Sequence, residues 1–327
     1  MAEPILKVRD LTVRYGAFTV IEGVSFDLGA GETLGIVGES GSGKSTVAQS
    51  ILRLNELMSG ARLSGEILFN GQDVLALPEA TFRRMRGRDV AIIFQDPMTA
   101  LDPVMTVGAQ IAEAIAVHDG RADAARVAAA LAEVGLPDPD GIAARFPHEL
   151  SGGMQQRVVI AMALVHKPAL LLADEPTTAL DVTVQAQILD LLARLRAERG
   201  MSIIFITHDL GALAQLADRV MVMYAGGVVE TGSAEAVYRN PAMPYTADLL
   251  ASTPRPGDRE RPLLPIPGSQ PGPGERPPGC RYAPRCRHRA ALCDTRRPAL
   301  VERRSAQVAR CHFGPAELGL AQGATDR

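Results

Sequence analysis

An apolar stretch from Thr33 to Val37 runs into Gly38-Glu39-Ser40-Gly41-Ser42-Gly43-Lys44-Ser45, and a helical run, Thr46 to Leu54, follows at once. Strand, glycine-rich turn and helix in that order match the phosphate-loop pattern GxxxxGK(S/T). Glycines at 38, 41 and 43 let backbone N–H groups wrap an anion, and the helix N-terminus adds positive potential. Lys44 would reach the β- and γ-phosphates of a nucleotide and the Ser45 hydroxyl would ligate Mg²⁺, with Ser40 and Thr46 completing the contacts. The alternative, a glycine turn with a capping serine, is disfavoured by the order of the three elements. The motif alone says only nucleotide, since kinases, GTPases and motor ATPases share it.

The surrounding pattern predicts a wound α/β core. Strands are expected at Ile5 to Val13, Thr19 to Leu28, Thr33 to Val37, Gly65 to Phe69, Val90 to Phe94, Ala169 to Ala173, Ser202 to Thr207, Arg219 to Tyr224 and Gly227 to Glu230. The early ones alternate apolar and polar residues, as a half-exposed antiparallel sheet does. Those beginning at 33, 90, 169 and 202 are near-continuous apolar runs, the pattern of parallel strands covered on both faces. Between 104 and 147 the strand signal vanishes, and Ala-rich helical patterns (Val107 to Val117, Arg121 to Val134) indicate an inserted helical subdomain. With 327 residues the chain exceeds the roughly 250–300 at which one core stops growing, so a large domain with an appendage is expected. No stretch approaches the about 20 apolar residues of a spanning helix. Met1 to Asp10 has no apolar signal core, so a soluble cytoplasmic protein is expected.

A second element is Leu170-Leu-Leu-Ala-Asp174-Glu175-Pro176. An apolar strand ending in two acids sets them at the carboxyl edge of the sheet, where a phosphate loop also opens. Asp174 would hold the Mg²⁺ shell and Glu175 would polarise the attacking water as general base. The plainer reading is two acids capping the helix after Pro176. A third element, Leu150-Ser151-Gly152-Gly153-Met154-Gln155-Gln156-Arg157, presents another helix start to an anion.

Leu150 to Gln155 closely resembles the signature motif of ATP-binding cassette (ABC) ATPases, whose members bind ATP between two cassettes. Other motifs of that family stand in order: Tyr15, where an aromatic stacks on adenine, Gln95, Ala179-Leu180-Asp181, and His208. The resemblance spans about residues 5–232 and implies an α/β fold: a P-loop NTPase cassette with an antiparallel β subdomain and an inserted helical subdomain. It implies that Gln95 contacts Mg²⁺ or the water and reports occupancy to the helical insert, and that His208 meets the γ-phosphate. Ser151, Gly152, Gly153, Gln155 and Asp181 would act on ATP held by a partner cassette. With every motif intact, the cassette is expected to hydrolyse ATP.

Three further stretches sharpen the resemblance: Phe94-Gln-Asp-Pro-Met-Thr-Ala-Leu-Asp-Pro103, Asn240-Pro-Ala-Met-Pro-Tyr-Thr-Ala-Asp-Leu-Leu250 and Cys280-Arg-Tyr-Ala-Pro-Arg-Cys286. They look like the ATPase subunits of bacterial oligopeptide and dipeptide importers, a group that includes nickel systems. That resemblance implies two membrane permeases, a second and commonly different ATPase, an external solute-binding protein, and a peripheral position on the cytoplasmic face of the inner membrane. The competing class is a soluble ABC ATPase acting on nucleic acid or the ribosome; it typically carries two cassettes or a long coiled coil, neither of which is seen.

The domain expectation is a cassette over 1–250 with its helical subdomain at about 96–153, a linker over 251–279 and a small irregular four-cysteine region over 280–327. Thr253 to Gly279 holds nine Pro and five Gly, too many for helix or sheet. The only cysteines, Cys280, Cys286, Cys293 and Cys311, follow it, which points to a separate module. Cys280 to Cys311 also carries nine Arg against Asp294 and Glu302, a local +7 in a chain of net charge -3. That excess is open to three readings: a solvated surface, a lipid contact or a hold on a phosphate backbone. The spacing C-x5-C-x6-C-x17-C contains no CxxC pair, and a reducing cytosol disfavours disulfides. Four thiolates with flanking arginines to lower their pKa values would suit a [4Fe–4S] cluster, which some peptide-importer ATPases carry in this region. Zinc and metal-free thiols are the alternatives.

Overall fold

A computed structural model describes residues 3–178, 180–253 and 264–320, without the side chains of Pro97 and Met98. Twelve strands occur among them. The first six are β1 Leu6–Tyr15, β2 Phe18–Leu28, β3 Thr33–Val37, β4 Arg62–Phe69, β5 Gln72–Asp73 and β6 Val90–Ile93. The others are β7 Leu170–Asp174, β8 Ser202–Thr207, β9 Arg219–Tyr224, β10 Gly227–Ser233, β11 Val301–Arg304 and β12 Gln307–Ala309. The chain forms two compact units, one mainly from Gly29–Glu32 and Ala76–Ile206, the other from Pro4–Leu28, Thr33–Leu75 and Thr207–Arg327.

In the first unit β6, β7 and β8 run parallel, with Val90 beside Leu170 and Leu170 beside Ser202. Every residue of β7 and β8 is buried, which is why these segments lack alternation. Helices Val107–Asp119, Ala124–Glu133 and Pro139–Ala143 fill the stretch where the strand signal vanished, and Gly152–Leu164 follows it. Each starts on a side chain that accepts a hydrogen bond from a first-turn N–H: Thr106 from Ala109 (3.3 Å), Asp123 from Arg126 (2.7 Å), Asp138 from Gly141 (3.2 Å) and Ser151 from Met154 (3.4 Å). The helix expected from Arg121 therefore begins after Asp123, because that residue serves as its cap.

The second unit holds an antiparallel sheet in the order β2-β1-β4-β5, with Leu6 facing Leu28 on one side and Phe69 on the other. Strand β4 starts at Arg62 rather than the expected Gly65, since Arg62 and Ser64 pair with Arg14 and Thr12 despite their polarity. Fully buried β3 runs parallel to β9, and β9, β10, β12 and β11 continue antiparallel.

The C-terminal region is therefore not a separate module. Glu230 of β10 lies opposite Ala309 of β12, so residues after the last-but-one cysteine extend the same sheet as the phosphate-loop strand. The described part of the Pro/Gly-rich stretch, 264–279, is an irregular wrap: Gln270 accepts from the Ala225 N–H (3.0 Å) and Arg276 donates to the Val20 carbonyl (2.7 Å). The remainder, 254–263, lies outside the described residues.

Most of the arginine excess is committed to partners within the chain, several of them outside the tail. Arg281 and Arg297 pair with Glu22, Arg285 with Glu39, Arg287 with Asp248 and Arg289 with Asp294. Arg303, Arg304 and Arg310 donate to the carbonyls of Cys311, Asn240 and Val228. Burial alone would raise the Glu22 carboxyl, but the Arg281 and Arg297 guanidiniums outweigh it and hold the group below its usual range.

Glu230 pins the end of this sheet. Fully buried, it accepts from the Ala242 N–H (2.8 Å), the Met243 N–H (3.0 Å) and the Gln307 amide (2.7 Å), and burial pushes its carboxyl up. Glu230→Ala leaves buried donors without an acceptor, a loss of roughly 2–4 kcal/mol. Denaturant unfolding checks this: a shift below about 0.5 kcal/mol, the size of an ordinary surface change, contradicts the role.

Candidate functional site

The second unit carries the phosphate loop. Between β3 and helix Lys44–Ile51 the backbone passes the end of β9 so closely that a Cβ on Gly38 would fall 2.2 Å from the Met223 carbonyl oxygen. Gly43 stands at the helix N-cap and no side chain caps that end, so the helix dipole faces the loop. Lys44 is 4% exposed, its ammonium donating to the carbonyls of Gly38 (2.8 Å) and Glu39 (3.1 Å). The buried Ser42 hydroxyl has no partner among the described residues. An enclosed cation, an unpaired hydroxyl and an uncapped helix fit the phosphates of a nucleotide. Ser40 and Gly41 are exposed, while Ser45 and Thr46 are half-buried on the first helical turn.

Tyr15 ends β1 opposite Phe18 and is half-buried, which raises its hydroxyl pKa. His208 is exposed just after β8. The turn that presents it is held on both sides: Thr207 Oγ1 accepts from the Asp209 N–H (2.9 Å), and Asp209 caps helix Leu210–Leu216 through Gly211 (2.7 Å) and Ala212 (3.3 Å).

In the first unit Asp174, 4% exposed, closes β7. Glu175 follows at φ 48°, the left-handed region that a non-glycine residue seldom enters, and its N–H donates to the Ile206 carbonyl (2.8 Å). Its Oε2 accepts from Gln95 Nε2 (3.0 Å) and from Thr178 Oγ1 (2.9 Å). Gln95 and Glu175, 80 residues apart, thus meet. Thr178 was not singled out by sequence reasoning, though a hydroxyl three residues after the acid was a signal for it.

Ser151 caps helix Gly152–Leu164 and, with Gly152, is exposed. A Cβ on Gly153 would lie 2.7 Å from Val184 Cγ1, so close packing on helix Val182–Arg199 requires glycine there. Asp181 caps that second helix through Thr183 (3.0 Å) and Val184 (2.9 Å). Gln155 is buried rather than turned outward, and its amide donates to the carbonyls of Pro147 (2.8 Å) and Leu150 (3.2 Å), pinning the loop in front of the helix. Ala179 lies outside the described residues.

The four cysteines are free, and the Cys280 N–H donates to the Cys293 carbonyl (2.7 Å). Burial raises the thiols of Cys280 and Cys311 and pushes Cys286 up to about 11. This reverses the expectation that arginines lower these three thiols, because burial outweighs the neighbouring charges; Arg303 acts on Cys311 in the lowering direction. Among the described residues no group of three or more His, Cys, Asp or Glu is placed to hold a metal ion.

Residues 21–178 match the model of the ABC transporter family, and residues 229–293 match the oligopeptide/dipeptide transporter C-terminal region. The dipeptide transport ATP-binding protein of Bacillus subtilis is 46% identical over 316 residues, 94% of each chain. The chain belongs to the ABC transporter family, as an ATPase. A putative peptide import ATP-binding protein of Brucella melitensis is likewise 46% identical, over 94% of this chain and 97% of its own. Among solved structures, a component of an ABC transporter complex from Clostridium perfringens matches with TM-score 0.61 and 30% identity, over 72% of this chain and 91% of that one. A dimeric bacterial ABC transporter cassette matches with TM-score 0.62 and 27% identity, over 70% and 98%. Importer ATPases of this family dimerise and work with membrane permeases, and no described helix is long and apolar enough to cross a membrane itself.

Gly38→Ala forces the phosphate loop away from Met223. ATP affinity of the full-length chain, measured by equilibrium titration, is expected to fall at least about tenfold, the equivalent of 1.4 kcal/mol; unchanged affinity contradicts the cradle.

Proposed function

We propose that this chain is the ATP-hydrolysing subunit of an importer for dipeptides and oligopeptides, seated on the cytoplasmic face of the inner membrane beside two permeases and a second ATPase, with an external solute-binding protein in the full system. The observation that carries the substrate class is the match of residues 229–293 to the oligopeptide/dipeptide C-terminal region, together with 46% identity to a dipeptide transport ATP-binding protein along nearly the whole chain. No nucleic-acid role is proposed, since most of the tail arginines are already committed to carboxylates and carbonyls of the chain itself.

In this reading Tyr15 stacks on adenine. Gly38, Ser40, Gly41, Gly43, Lys44, Ser45 and Thr46 hold the phosphates. Ser45, Gln95 and Asp174 would hold Mg²⁺, which would supply positive charge against the phosphates. Glu175 takes a proton from water as the water oxygen bonds to the γ-phosphorus and the bond to the β-phosphate oxygen breaks. Gln95, bonded to Glu175 at 3.0 Å, orients that carboxylate, and His208 steadies the γ-phosphate. Ser151, Gly152 and Gly153, at an outward-facing helix start, and exposed Asp181 serve the ATP of a partner cassette, with buried Gln155 pinning the loop in front of the helix. Hydrolysis then depends on closure of the pair, and the helical subdomain at about 96–153 passes closure to the permeases.

Glu175→Gln keeps the phosphate cradle and removes the base, so the variant is expected to bind ATP normally and to lose at least about 10²-fold in turnover within the assembled transporter. Near-normal phosphate release there would remove Glu175 from this role.

The four cysteines are proposed to hold a [4Fe–4S] cluster with a structural role. One feature supports it. The thiol of Cys286 is raised in part by each of the other three, so all four share one neighbourhood. Anaerobically purified protein is expected to be brown and to contain iron; a colourless, zinc-loaded protein contradicts the cluster.

A further inference from the structure

The residue after the first phosphate-loop glycine is an acid, Glu39, at a position where the motif itself demands none. Its three polar groups are all fixed. The carboxylate takes a two-pronged ion pair from Arg285, with Nη1 to Oε2 at 2.6 Å and Nη2 to Oε1 at 2.9 Å. The backbone N–H donates to the Tyr245 hydroxyl (2.9 Å), and the carbonyl accepts from Lys44 Nζ (3.1 Å). Arg285 immediately precedes Cys286. Its side chain is 5% exposed against 26% for Glu39, and its Nε donates to the Pro267 carbonyl (2.7 Å). The guanidinium lies over the rings of Tyr224 and Tyr282, which pack with Tyr245 at 4.6–5.3 Å between centroids. The arginine is nearly enclosed on its side of this contact, and the glutamate is half-buried on the loop.

We infer that Arg285 is a positioning residue of the ATP site: by clamping Glu39 it holds the phosphate loop in its binding shape and neutralises a carboxylate that would otherwise stand beside the triphosphate. The loop thereby depends on the segment between Cys280 and Cys286. This rests on the phosphate-loop reading above. The fork matters as well as the charge, because a lysine ammonium cannot reproduce a planar two-point pairing.

The test is an ATP titration of the full-length chain with and without Mg²⁺, alongside the thermal midpoint of the nucleotide-free protein. Arg285→Gln leaves Glu39 charged and unclamped, so the Kd for ATP is expected to rise about fivefold or more, in the range of a charge-assisted pair. Glu39→Gln removes the charge together with the clamp and is expected to cost less. The double variant is expected to match Glu39→Gln, so that loss of the acid rescues loss of the arginine. Arg285→Lys, which keeps the charge and guards against misfolding of the Gln variant, is expected to fall between wild type and Arg285→Gln. An unchanged Kd for Arg285→Gln, or a double variant showing the sum of the single losses, overturns the inference, as does a drop in thermal midpoint alone. Lys44→Ala separates the two levels: if it binds ATP as wild type does, the phosphate-loop reading itself fails, whereas a binding defect there with none at Arg285 sinks only the clamp.

Discussion

The approach of Gly38 to the Met223 carbonyl is the constraint on which the second unit depends. Parallel β3 and β9 must deliver their ends to the same level, and Val37 lies in register with Val222 to do so. A Cβ at 38 cannot be accommodated against a backbone oxygen, which unlike a side-chain tip cannot swing aside. The loop is therefore held by sheet registry, and Lys44 folds back onto the carbonyls of Gly38 and Glu39 from the following helix turn. From β9 the same sheet runs through β10 to β12, so anything that shifts the C-terminal hairpin acts on strands that share the loop's framework.

Charge explains why the C-terminal region joins that framework. A segment of local +7 in a chain of net -3 has acids to seek, and it finds Glu22, Glu39 and Asp248. Exposed pairs of this kind contribute little each. Arg281 and Arg285 differ, because their side chains are nearly enclosed and a buried guanidinium left without its partner is costly. The arginine pattern is thus better understood as an internal seam than as a surface for a polyanion.

Much of the fold was legible in the sequence because its strands are covered on both faces: β3, β8 and β9 have the expected limits, since an unbroken apolar run has no other stable placement. The strands that escaped notice are those whose pairing owes nothing to hydrophobic pattern. Arg62 to Ser64 join β4 through backbone partners, and β11 and β12 (Val-Glu-Arg-Arg and Gln-Val-Ala) sit in an arginine-rich stretch that reads as irregular. In the candidate site, glycines and charged residues announced themselves by spacing. The outward role expected of Gln155 did not survive, because spacing does not say which way a side chain turns.

The first unit shows how local structure and chemistry share residues. Ser151 and Asp181 cap helices, Gly153 admits Val184, and each task fixes the backbone that a catalytic reading needs held still. Glu175 is the exception, since its left-handed φ costs on the order of 1–3 kcal/mol and buys no packing. Its N–H bond to Ile206 secures that conformation, and the result is a carboxylate turned off the end of β7 to meet Gln95 and Thr178. An unstrained strand residue would continue the alternation of β7 and carry its carboxylate elsewhere. Strain at this one position, next to an unstrained Asp174, is what divides two adjacent acids into a buried one suited to a metal shell and a reachable one suited to proton transfer.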